Sequence, residues 1–120
     1  MSPNCYSDMS LALGLYHFSP SHRLNCAKVL EKREHRVSWE AWVLALEAPF
    51  NPLDEDLHLV LLHALHNNVD LPKLTHLLLT FLANISRLGT LKVREAYSEL
   101  RHNWGCDVMV SVLTGYHDTF

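Results

Sequence analysis

Turn-forming residues and charge are both scarce in this chain. Its 120 residues include four Gly and five Pro, too few to punctuate the many short strands of a sandwich or barrel. Three cysteines, Cys5, Cys26 and Cys106, do not make the disulfide framework that staples small secreted domains. Charged residues are 19 % of the chain and the formal net charge is −3, so no global field draws it toward nucleic acid or an anionic membrane. The opening stretch MSPNCYSDMSLALGLYHF lacks a basic n-region and a long apolar h-region, which argues against a signal peptide. Apolar runs are broken by His or Thr well short of the roughly 18 residues that a spanning helix needs. There is no phosphate loop, no G-x-S-x-G elbow and no pair of carboxylates among polar loop residues. The reading is therefore of a non-enzymatic protein without a cofactor.

What the chain does have is leucine at helical spacing. Hydrophobic residues reach 48 %, and 120 residues suffice for a core without metal or disulfide support. The expected fold is all-α, a compact single-domain bundle of six or seven helices over residues 1–120, in the cytoplasm. The plainest element is LPKLTHLLLTFLANISRL, residues 71–88. Leu71, Leu74, Leu77, Leu78, Phe81, Leu82, Ile85 and Leu88 fall on one side of a helical wheel, and Gly89 is placed to end the helix.

Capping residues divide the rest. Ser7 or Asp8 starts a first helix to about Phe18, with Leu11, Leu15 and Phe18 inward. Ser19-Pro20 pairs an N-cap with proline at the first helical position and opens a second helix to about Glu34. Ser38 caps a third, WEAWVLALEA, with Val37 and Trp42 spaced as a hydrophobic staple. Asn51-Pro52 repeats the cap-plus-proline device, and Asp54, Glu55 and Asp56 suit the positive end of the fourth helix dipole. Asp70 caps the fifth helix. Thr90 caps a sixth whose stripe is Val93, Ala96, Tyr97, Leu100 and Trp104, and Gly105 ends it. DVMVSVL, residues 107–113, reads as a short seventh helix capped by Asp107.

Nine histidines are the compositional oddity. On the fourth helix Leu53, Leu57, Val60, Leu61, Ala64 and Leu65 make the core stripe, and His58, Leu59, Leu62, His63 and His66 interleave on a second face. Leu59, Leu62 and Leu79 of the fifth helix lie outside their core stripes. Leftover apolar surface of this kind marks contact with a partner. The expected contact residues are Leu59, Leu62, His63, His66 and Leu79, and the expected partner is another protein or a second copy. The implied role is a small adaptor, chaperone or regulator, with a homodimer as one form of the contact.

Two other readings use different residues. The fifth helix, its ISRLGT turn and the sixth helix have the outline of a helix-turn-helix, in which the helix 91–103 presents Lys92, Arg94, Ser98 and Arg101. Glu95 and Glu99 among them, and the acidic total, oppose contact with phosphates. His63 with His66, and His22 with Cys26, are spaced to share a metal, although neither pair has the density of a CxxC or HExxH pattern. No metal site is assigned. Charge is also segregated, with no Lys or Arg between Val37 and Asp70.

Overall fold

Ser7, Ser19 and Ser38 each do what their position predicts. In a computed structural model that describes residues 6–33, 37–68 and 71–102, excepting the side chains of 67, 68 and 71–76, their hydroxyls accept hydrogen bonds from Ser10, His22 and Ala41 N–H respectively. They open α1 (Asp8–Gly14), α2 (Pro20–Lys32) and α3 (Trp39–Leu46). α4 (Glu55–Asn68) and α5 (Leu71–Leu88) follow, and α6 covers 91–102, with Thr90 Oγ1 accepting from Val93 N–H at 3.4 Å. The described residues are all-helical, with six helices and no strand. Asp70, Trp104, Gly105 and the expected seventh helix lie outside them.

The elements pack in an order set by small residues and two ion pairs. α1 lies on α2 and on α3, α2 on α4, and α3 on α5. At the α1–α2 crossing, Gly14 comes so close to Cys26 that a methyl group there would run into Sγ and lie 3.1 Å from Cβ. Arg23 of α2 grips Asp54, at 3.0 Å from Nε and 2.8 Å from Nη2, and donates to the His17 carbonyl at 2.7 Å. Arg33 reaches Asp8 at 2.7 Å and the Tyr6 carbonyl. Among the described residues Trp42 is the largest fully buried side chain, and Leu11, Leu30, Leu62, Leu78 and Ile85 are fully buried as well.

Two helix ends differ from expectation. α1 stops at Gly14, because Leu15, Tyr16 and His17 donate to carbonyls three residues back. This tighter winding swings Phe18 off the inward stripe, and it is 88 % exposed. α4 starts at Glu55 and not at Pro52. Asn51 Oδ1 accepts from Leu53 N–H and its carbonyl from Asp54 N–H, both at 3.0 Å, so Asn51 closes a turn. Asp54 takes the capping place, its carbonyl accepting the first helical bond from His58. Leu53 is thus left out of the core, 86 % exposed. α5 ends where expected, Gly89 N–H donating to the Ile85 carbonyl at 3.0 Å. A Cβ at Gly89 would approach that oxygen to 2.5 Å. Leu88 beside it is exposed.

Candidate functional site

The face anticipated on α4 is only partly a surface. His63 and His66 are exposed, Leu59 is half-buried against the core, and Leu62 is 0 % exposed. Leu62 is therefore unavailable for contact, which corrects the sequence reading. The buried positions are Leu57, His58, Leu61, Leu62, Ala64 and Leu65, an arc of roughly 160° at about 100° per residue. Compared with the expected stripe, the helix is turned toward His58 and Leu62, and Val60 is left half-buried. The sequence reading put His58 on the second face, outside the core stripe, and this helix buries it.

Leu79 is half-buried and lies elsewhere, on a groove of about 530 Å3 with Leu82, Ala83, Ser86, Arg87 and Tyr97. Burial pushes the Tyr97 hydroxyl above its ordinary pKa, with Arg101 pulling weakly the other way. The five expected contact residues therefore do not form one described patch.

A different apolar surface is present on α1 and α3, and sequence reasoning missed it. Met9, Leu13 and Tyr16 follow one another at i, i+4 and i+7 and are all exposed, Leu13 by 57 %. Trp39, at the start of α3, is 46 % exposed. The two helices run parallel because they are tied at both ends. Asp8 accepts from Ser38 N–H at 3.2 Å, and Tyr16 Oη donates to the Leu44 carbonyl at 2.6 Å. Met9 and Trp39 each follow directly on a member of the first tie, which puts both at the same end of the α1–α3 pair. Between Asp8 and Arg23 there is no charged residue. A signal was available: three apolar residues at helical spacing opposite Leu11 and Leu15, in a stretch with no charge to solvate it.

The α6 residues of the nucleic-acid reading, Lys92, Arg94, Ser98 and Arg101, are all exposed. So are Glu95 and Glu99, and Lys92 lies 3.8 Å from Glu55 of α4. For the metal reading, Cys26 Sγ is 3.6 Å from His22 Nε2, and the His17 ring lies tilted by 45° against that of His22, with centroids 4.4 Å apart. His17 Nδ1 is already used, accepting from Ser19 N–H at 3.0 Å, and burial pushes the Cys26 thiol up, away from the thiolate a metal needs. Among the described residues no group of three or more His, Cys, Asp and Glu side chains is placed to hold a metal ion. Nor is any described helix long and apolar enough to cross a membrane.

No family model, curated protein or solved structure matches the chain. Any functional reading must therefore come from the residues themselves.

Proposed function

We propose that this chain is a non-enzymatic contact protein, an adaptor, chaperone or regulator of the cytoplasm, that associates with a second copy of itself through the α1–α3 face. One observation supports the reading above the others: Met9, Leu13, Tyr16 and Trp39 are large, apolar-bodied and exposed, on two packed segments joined by two hydrogen bonds. A two-fold contact brings a patch against its own copy, so any charge within it meets a like charge. Residues 9–22 carry no Asp, Glu, Lys or Arg, so the α1 half of the patch meets itself without that penalty, while Glu40 beside Trp39 is exposed at its α3 edge. Its extent, four large side chains per copy, puts it at the small end of specific interfaces, so the dimer is expected near the micromolar range. The test is the mass of the full chain by light scattering across concentration, with Leu13→Glu as the disrupting variant. A dimer that Leu13→Glu converts to monomer supports the proposal, and a monomer throughout overturns it.

A second reading keeps one specific observation, the exposure of Lys92, Arg94, Ser98 and Arg101 along one helix after a short turn. It requires duplex DNA binding that survives about 0.2 M salt and that Arg94→Glu abolishes. A mobility-shift titration reads both.

A further inference from the structure

His58 is 3 % exposed, the one buried polar residue of the described core. Its ring stacks on Phe50 at 4.3 Å and 5° and meets the edge of Phe81 at 6.3 Å. Nδ1 has no hydrogen-bond partner among the described residues. A cavity of about 30 Å3 adjoins it, lined by Leu15 just past α1, by Ala45, Leu46, Ala48, Pro49 and Phe50 around the end of α3, and by Phe81 and Asn84 of α5. We propose that His58 is an acid-operated latch, whose protonation in this niche releases the 46–50 connection from α4 and α5.

The charges around the ring define how the latch works. From its own element Asp54 faces His58 and favours the imidazolium, but that carboxylate is already held by the two donors of Arg23. The 46–50 connection contributes one carboxylate, Glu47, which is exposed and acts on Tyr16. The lining residues just past α1 and on α5, Leu15, Phe81 and Asn84, carry no charge. Stacking on Phe50 gives an imidazolium some cation–π compensation, but a buried N–H without an acceptor outweighs it. Burial accordingly holds the ring below its ordinary pKa despite Asp54. A base whose folded pKa lies below its unfolded value is neutral in both states above the unfolded value of about 6.5. Below that pH the unfolded chain binds the proton first, and the folded state loses ground. The easiest local escape is to move Phe50 and let water reach the ring, because 46–50 is the last residue of α3 and the non-helical stretch after it, while α4 and α5 are anchored by their cores.

The test is urea unfolding of the full chain and of His58→Phe at pH 7.5, 6.5 and 5.5, with amide exchange over 46–50 corrected for its intrinsic pH dependence. Phe keeps the stack and removes the titration, so effects of the other histidines cancel in the comparison. Relative to the variant, the native chain should lose up to about tenfold in folded-to-unfolded ratio per pH unit below about 6.5. Exchange over 46–50 should quicken in the same window in the native chain alone. Parallel loss of stability in both proteins, or unchanged exchange over 46–50, overturns the proposal. Should His58→Phe fail to fold, the ring NMR signal of His58 in the native chain decides. A midpoint below 6.5 supports the latch, and one at or above it overturns it. None of these readouts depends on whether the chain dimerises.

Discussion

Removing either end of the Arg23–Asp54 bridge should destabilise the fold, and by unequal amounts. The side chains are only 13 % and 9 % exposed, so water screens the pair much less than at an open surface. Asp54→Ala leaves the Arg23 guanidinium buried with one acceptor, the His17 carbonyl, for its five N–H donors. Breaking a buried pair costs about 3–5 kcal/mol. The remaining carbonyl and the residual exposure bring the expected cost to about 3 kcal/mol. Arg23→Met keeps the packed stem and leaves the Asp54 carboxylate at the start of α4, where the helix dipole favours it. Its cost should be about 1–2 kcal/mol. The double variant Arg23→Met, Asp54→Ala removes both charges and should cost less than the sum of the singles by at least ~1 kcal/mol. Urea unfolding followed by helical circular dichroism reads all three. With a slope of about 1.5 kcal/mol per molar, Asp54→Ala moves the midpoint by about 2 M. Costs below ~0.5 kcal/mol, or strictly additive singles, would show that the bridge is an ornament of the surface and that the reasoning from burial is wrong.

Other outcomes follow from single contacts. Gly14→Ala places a methyl group against Cys26 Sγ. The buried thiol cannot swing into solvent, so the variant should lose about 1–3 kcal/mol and roughly 4–12 °C in Tm. Cys26→Ala in the same chain should recover part of the loss, whereas a Gly14→Ala chain that melts higher than the parent would mean the helices do not touch there. Arg94→Glu should leave the fold intact, since Arg94 is exposed, with an unchanged thermal melt as the check.

How far the sequence could be read depended on how local the deciding interaction is. Ser7, Ser19, Ser38 and Thr90 cap helices by reaching N–H groups three residues away, so their role was visible in a few letters. The same holds for Gly89 and for the inward set Leu78, Phe81, Leu82 and Ile85, whose spacing alone defines a buried stripe. Asn51 misled because its cap-plus-proline pattern also suits a turn, and the choice was made by Arg23, 31 residues from Asp54. Leu62 misled for a related reason. Residue polarity put His58 outside, but Phe50 and Phe81 supply an aromatic slot for the ring, and the helix turns to fill it. The contact face on α1 and α3 depends on two long-range hydrogen bonds, from Ser38 and from Tyr16, which no spacing rule contains.

Sedimentation velocity on the full chain from about 1 to 200 µM, beside Leu13→Glu, puts the self-association claim to its hardest trial. The native protein should shift from monomer to dimer across that range while the variant stays monomeric with an unchanged helical spectrum. A native chain that sediments as monomer at every concentration, or a dimer that survives Leu13→Glu, contradicts the account.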